Sequence, residues 1–128
     1  MSSRGFSLVE TILAAFILSL ITMAVFNIFP SSVMAVKRGE MELEADSIAG
    51  QILEEHRARP FEELVLAGPA PLAPLTLGGT KFEPFLQIDD VPDCSDQHLR
   101  AVRVEVRWSH SGKSYSLARE AWIVSVEN

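Results

Sequence analysis

Glu10 is the residue whose position most needs an explanation, because it stands at the head of a long apolar run. No charged residue occurs from Thr11 to Val36, a stretch of 26 residues. A carboxylate inside a lipid bilayer is costly unless an opposite charge compensates for it. Something must therefore compensate for the charge of Glu10 or make use of it.

The other reactive side chains do not form a pattern typical of catalysis or metal binding. His56, His98 and His110 are widely spaced and share no ligand spacing with the single cysteine, Cys94. The sequence contains neither a nucleophile elbow nor a phosphate-binding loop. We therefore expect no enzymatic activity, no metal site and no cofactor.

Charge and cysteine content limit the kinds of partner and of covalent link that the sequence favours. The net charge is -6 and the sequence lacks a basic stripe, which argues against nucleic-acid binding. Four aspartates follow one another closely, but their spacing is not that of an EF-hand, so we expect a solvated loop rather than a calcium site; they are Asp89, Asp90, Asp93 and Asp96. Cys94 cannot form an intrachain disulfide; it is interpreted as a loop or core thiol, with an intermolecular disulfide as the alternative.

The apolar run is long enough to cross a membrane. As a helix at about 1.5 Å per residue it measures ~39 Å, whereas the hydrocarbon core of a bilayer is about 30 Å thick. A secretory signal has a shorter apolar region and a small-residue cleavage site, so a signal anchor fits better. Ser7 and Glu10 also form a capping box, S-x-x-E, which explains both residues locally. The capping box leaves Gly5, Phe6 and the length of the run unexplained.

A family resemblance accounts for these features together. The segment RGFSLVE followed by a long apolar helix resembles the leader of type IV pilins and pseudopilins, and the matching residues are Gly5, Phe6, Ser7, Leu8, Val9 and Glu10. The resemblance implies cleavage after Gly5 by a prepilin peptidase and N-methylation of Phe6. It also implies that Glu10 pairs with the Phe6 amine of a neighbouring subunit. The N-terminus would be cytoplasmic and the globular domain periplasmic, anchored in the inner membrane before assembly into a filament.

The C-terminal region extends the resemblance. A strand ending in V-x-V-x-W at Trp108, a short polar turn and a last aliphatic strand resemble V-type minor pilins and the I-type pseudopilins of type II secretion. The resemblance implies a minor pilus subunit in a priming or tip complex, with other minor pilins and the major pilin as partners. A pseudopilin of a type II secretion or competence system is the alternative. A signal-anchored periplasmic binding module that never polymerises is the alternative outside the family.

The predicted fold is α+β, with a long N-terminal helix packed on an antiparallel sheet of about three to four strands. The predicted segments are a leader (1–5), a membrane or filament-core helix (6–36), an amphipathic helix (37–59), a loop rich in proline and glycine (60–80) and the sheet (81–128). Apolar residues of the amphipathic helix recur at helical spacing; they are Met41, Ala45, Ile48, Ala49, Ile52 and Leu53. Pro60 predicts the end of this helix, and Pro30 interrupts the apolar one.

The strand predictions depend on alternation. Val102, Val104, Val106 and Trp108 alternate with charged residues, which is typical of a half-exposed strand. Phe82, Leu86 and Ile88 predict an earlier strand, and Pro84 within it favours a sheet edge. Ser111 and Gly112 predict a two-residue turn.

The parity of the last strand changes between Leu117 and Trp122. We therefore expect a bulge between Ala118 and Ala121 that turns Trp122 into the core, because burying an indole is worth more than the bulge costs. Trp108 and Trp122 are both predicted to be buried.

Overall fold

The computed structural model describes residues 5, 7–91 and 99–125. The chain divides into two compact units, Met1–Gly39 and Glu40–Asn128. The elements in chain order are α1 (Leu8–Arg57), a short 3-10 helix (Phe61–Glu63) and the strands β1 (Ala67–Pro71), β2 (Leu75–Leu77), β3 (Thr80–Asp90), β4 (Leu99–His110) and β5 (Lys113–Val124). The α+β class, with a long N-terminal helix on a small antiparallel sheet, is confirmed.

The core of the second unit lies between the last part of α1 and one face of the sheet. The buried residues of the helix are Met41, Ala45, Ile48, Ala49, Leu53 and His56. All but His56 belong to the stripe that the helical spacing predicts, and Ile52 is half-buried beside them. The helix ends at Arg57, three residues before Pro60, as predicted. At the sheet, Phe82, Val102, Val104 and Val106 are fully buried.

Strands β4 and β5 form a hairpin with an unbroken ladder. Trp108 lies opposite Tyr115, and Val106 lies opposite Leu117, as the two-residue turn predicts. Ser111 and Gly112 have φ angles of 51° and 75°, the left-handed conformation that a two-residue turn between right-twisted strands requires. Trp108 is buried, stacked on Tyr115 with ring centroids 5.9 Å apart.

The predicted bulge in β5 is wrong, and so is the predicted burial of Trp122. The ladder continues without a break, so that Ala121 lies opposite Val102 and Trp122 opposite Ala101. Ala121 is buried, whereas Trp122 is 61% exposed. The continuous pairing explains this outcome, because a bulge would have disrupted the ladder on which every pair from the turn to Leu99 depends.

The segment predicted as a loop contains two short strands. β1 and β2 pair with different parts of β3, and the sheet order is β1-β3-β4-β5 with β2 also on β3. The sheet therefore has five strands, and β3 is not the edge strand that Pro84 predicted. The carbonyl of Pro84 accepts a hydrogen bond from the amide of Leu72, at 2.9 Å, where neither β1 nor β2 pairs with β3. Because the nitrogen and carbonyl of a strand residue face the same neighbour, the missing N–H of proline faces this gap.

The predicted acidic loop is partly strand. Asp89 and Asp90 belong to β3, where they lie opposite Ala101 and Arg100. Asp93 and Asp96 fall outside the described residues, as do Phe6, Cys94, His98 and Val126.

Candidate functional site

The N-terminal end of α1 carries the residues that the sequence singles out. Glu10 lies exposed in the first turn of the helix. The amide of Thr11 donates to the carbonyl of Ser7 at 3.1 Å, which closes the first turn of the helix, the turn that contains Glu10. Gly5 is exposed, and a Cβ placed on it would have no atom within 4 Å. Gly5 and Glu10 are therefore both accessible, whereas Phe6 between them lies outside the described residues.

The helix that follows presents apolar side chains on every face. An 18-residue window within α1 has a mean hydropathy of 2.5, and none of its residues is buried. Exposed residues here include Leu13, Phe16, Ile21, Val25 and Phe29. A helix that is apolar all round is stable in lipid or among other helices, not in water. The chain thus has one helix that is long and apolar enough to cross a membrane, within the part that the structure describes.

Polar side chains inside the apolar run bond to their own helix. The Thr22 hydroxyl donates to the carbonyl of Leu18 at 2.8 Å, and the Asn27 amide donates to the carbonyl of Met23 at 3.0 Å. The hydroxyls of Ser31 and Ser32 both reach one carbonyl of the preceding turn, at 2.7 and 3.1 Å. Such bonds lower the cost of placing a hydroxyl or an amide in hydrocarbon.

Pro30 lies inside this apolar region, and α1 continues through it as an α-helix. Proline has no N–H, so the carbonyl four residues earlier, that of Phe26, loses its usual helical donor. Proline is tolerated in helices buried in a membrane where neighbouring groups satisfy the freed carbonyl. The helix is therefore not unwound at Pro30.

The second unit shows a structural role for one of its histidines. His56 is buried, and its Nδ1 lies 2.8 Å from the carbonyl oxygen of Ile52. Because a carbonyl can only accept, this nitrogen carries the proton. Within residues 5, 7–91 and 99–125, no group of three His, Cys, Asp or Glu side chains could hold a metal ion.

The outer face of the sheet, opposite the helix, carries alternating charges. The Arg107 guanidinium donates to both oxygens of Glu105, at 2.8 and 3.3 Å. It also lies 4.5 Å above the ring of Phe85. The hydrogen bond from Arg107 lowers the pKa of the Glu105 carboxyl and outweighs the opposing effect of burial; the positive charges of Arg107 and Arg103 act in the same direction. The same bond raises the pKa of Arg107.

Comparisons with protein-family models, curated proteins and solved structures found no match. A functional assignment must therefore come from the chain's own residues. The strongest chemical feature is an exposed stretch of helix without charges, from Thr11 to Val36, preceded by a single carboxylate in the first turn.

Sequence reasoning missed one surface feature, the exposed indole of Trp122. The signal was present, because an unbroken register from the Ser111–Gly112 turn places Trp122 on the outer face. In this hairpin the continuous ladder outweighs the gain from burying the indole.

Proposed function

We propose that this protein is a minor subunit of a type IV pilus, assembled through its N-terminal helix and acting in a priming or tip complex. The observation that carries the proposal is the position of Glu10 at the head of an exposed apolar helix, directly after Gly5, Phe6 and Ser7. A membrane anchor alone does not need a carboxylate there. A subunit that packs its helix against other helices needs a carboxylate there if those helices supply a buried positive charge.

The proposed chemistry begins with processing. Cleavage after Gly5 creates a new α-amino group on Phe6, which is positively charged below its pKa of about 7.7–8.0. Methylation retains that charge. When helices pack together in a filament core, the amine and the Glu10 carboxylate of a neighbouring subunit are both removed from water. Pairing offsets their desolvation and selects one axial register between subunits.

The apolar helix then serves in two surroundings. Before assembly it holds the subunit in the inner membrane, with the globular unit in the periplasm. After assembly its side chains contact helices of other subunits. Each Å² of apolar surface that is removed from water contributes about 25 cal/mol of stabilisation, so both states are favoured over exposure to water. The prepilin peptidase, other minor subunits and the major pilin are the partners that this proposal requires.

Processing provides the experiment that tests the proposal. Intact-mass measurement of the full chain, extracted from membranes of cells with an active prepilin peptidase, is expected to give a mature protein that begins at methylated Phe6. Gly5→Leu is expected to retain the leader, since a peptidase needs close access to the backbone there. A wild-type chain that still begins at Met1 would contradict the pilin proposal and favour a signal-anchored binding module.

A further inference from the structure

The strongest unassigned feature is a depression at one end of the outer sheet face, which we call the Trp122 pocket. It has a volume of about 620 Å³. Its lining residues are Asp89, Asp90, Val91, Ala101, Glu120 and Trp122. We propose that the Trp122 pocket binds a lysine or arginine side chain presented by another protein subunit.

The shape of the pocket follows from the register of three strands. Asp89, Ala101 and Trp122 lie side by side on β3, β4 and β5. Ala101 is the smallest of the three, so it forms a floor between a carboxylate on one side and an indole on the other. Trp122 is 61% exposed, an unusual position for so large an apolar ring.

The indole is held in place by a neighbour on the same strand. Its Nε1–H donates to Oε1 of Glu120 at 2.7 Å. The indole N–H is the only polar group of tryptophan and only donates, so this bond fixes one edge of the ring. The ring faces are left for contact with a partner, and a side chain already ordered loses less entropy on binding.

The charge of the lining selects the occupant. Asp89 and Glu120 supply two carboxylates on the outer face, whereas Asp90 alternates to the side that carries Ile88; the six lining residues include no cationic side chain. Arg103 lies in the neighbouring row, opposite Glu120, and offsets one of these charges. Arg100, opposite Asp90, is directed to Phe61, with its guanidinium 4.7 Å from that ring. An aromatic face beside carboxylates attracts a cation by both the ring quadrupole and the net charge.

The carboxylates keep acceptor capacity for such a cation. Gln87 donates to Oδ2 of Asp89 at 2.6 Å, and Trp122 donates to one oxygen of Glu120. Each carboxylate has a second oxygen, and each oxygen has more than one lone pair. A guanidinium lying on the indole could therefore donate to both sides of the pocket.

A second copy of this chain is a poor occupant, because two chains of net charge -6 repel each other. An anionic lipid surface would be repelled for the same reason. A basic segment of a different subunit has the complementary charge. This inference does not depend on leader cleavage, so a failed peptide-binding test and a failed processing test can be told apart.

The test uses the full chain in a neutral detergent, labelled with 5-fluorotryptophan. Trp108 and Trp122 give two fluorine resonances, and Trp122→Leu identifies them. The probe is a blocked tetra-arginine peptide, and its neutral control is the same peptide with citrulline. We expect tetra-arginine to shift the Trp122 resonance saturably and to leave the buried Trp108 resonance unchanged. We expect the citrulline peptide to shift neither.

Variants measure how much each group contributes, by fluorescence anisotropy of labelled tetra-arginine. Glu120→Gln removes the charge but keeps an acceptor for the indole, and it is expected to weaken binding about two- to fivefold. Trp122→Leu is expected to weaken binding by a similar factor, about two- to fivefold. The matched control is Glu83→Gln, which removes a carboxylate from the other end of the same face.

Several results would overturn the assignment. One is the lack of a saturable shift at Trp122, and another is an equal shift at Trp108. Equal weakening by Glu83→Gln and Glu120→Gln would show unspecific attraction to the acidic surface. Tighter binding of spermidine than of the peptide would assign the pocket to free amines instead of a protein segment.

Discussion

At the scale of single residues, Glu10 and Glu105 illustrate two uses of a carboxylate. Glu105 meets its cation within the same chain, where Arg107 donates to both of its oxygens. Glu10 lies exposed in the first turn of α1, next to the long apolar surface. The pairing of Glu105 with Arg107 contributes to the stability of the sheet. The exposed position of Glu10 is compatible with the proposed pairing to a cation of another chain.

Glu10→Val is expected to leave leader cleavage and membrane insertion intact and to reduce incorporation into filaments strongly. The reason is that the Phe6 amine of a neighbour would then be buried without a partner. Removing one partner of a buried ion pair costs about 3–5 kcal/mol. Subunit content of sheared filaments, compared with the membrane pool, measures the effect. Glu42→Val, an exposed carboxylate later in the same helix, is the control. Equal incorporation of Glu10→Val and wild type would refute the pairing.

Glu105→Gln is expected to lower stability slightly at neutral pH and not at all in acid. The pKa of Glu105 is lowered below its usual 4.5 in the folded protein by the Arg107 bond. A lowered pKa stabilises the fold above the unfolded-state pKa, and this stabilisation is lost as the pH falls through the folded-state value. Thermal unfolding of both proteins from neutral pH to below the folded-state pKa checks this. A difference that grew toward acid would contradict the sign.

At the scale of elements, the hairpin of β4 and β5 decides where its two tryptophans lie. Trp108 packs between Tyr115 and Phe82, with the Phe82 ring centroid 5.8 Å away. Trp122 projects from the opposite face of the sheet. It lies opposite Ala101, whose side chain alternates to the other face from that of Trp108 on the same strand. The same residue type is therefore a core residue at one site and a surface residue at the other.

Trp108→Ala is expected to destabilise the second unit by about 3–5 kcal/mol, the usual cost of truncating a buried aromatic ring. Trp122→Ala is expected to change stability by about 0.5 kcal/mol or less, as surface substitutions do. Thermal unfolding of the full chain in detergent, followed by near-ultraviolet circular dichroism, compares the two. A larger loss in Trp122→Ala than in Trp108→Ala would show that the indole of Trp122 is buried after all.

The patterns that could be predicted from the sequence were those with one strong physical cause. Helical spacing identified the buried stripe from Met41 to Leu53, and alternation identified Val102 to Trp108. Two predictions failed because they considered one residue without its neighbours. Pro84 predicted an edge, although its missing N–H could face a gap between β1 and β2. Trp122 predicted a bulge, although an unbroken register from the two-residue turn places it on the outer face. The Trp122 pocket joins three strands, so its shape depends on a register that alternation alone does not define.

At the scale of the whole molecule, the two units have opposite relations to water. The described part of the first unit exposes apolar side chains along its helix, whereas the second unit gathers its apolar residues into one core. Such a chain needs a lipid or protein environment for the first unit and water for the second. Membrane extraction can test this division.

The wild-type chain is expected to stay with membranes after an alkaline carbonate wash. Replacing both Ile21 and Val25 with Arg is expected to release a large fraction, because each charge near the middle of a span costs about 2.5–3.5 kcal/mol. Leu43→Arg, an exposed apolar residue in the second unit, is the control and is expected to have no effect. Equal retention of the double variant would show that this helix does not hold the protein at the membrane.

The prolines at the β1 and β2 margin have a consequence for storage and handling of the protein. Pro69 and Pro71 lie in β1, and Pro74 comes directly before β2. Proline cannot donate to a foreign strand, so this margin is a poor template for fibril growth. At the opposite margin, β5 carries Arg119, whose Nε lies 3.5 Å from Oδ1 of Asp46 on the helix. A charge held towards the helix in an edge strand disfavours stacking of sheets edge to edge. Both margins of the sheet therefore resist amyloid-like growth, and concentrated samples are expected to associate through the apolar helix instead.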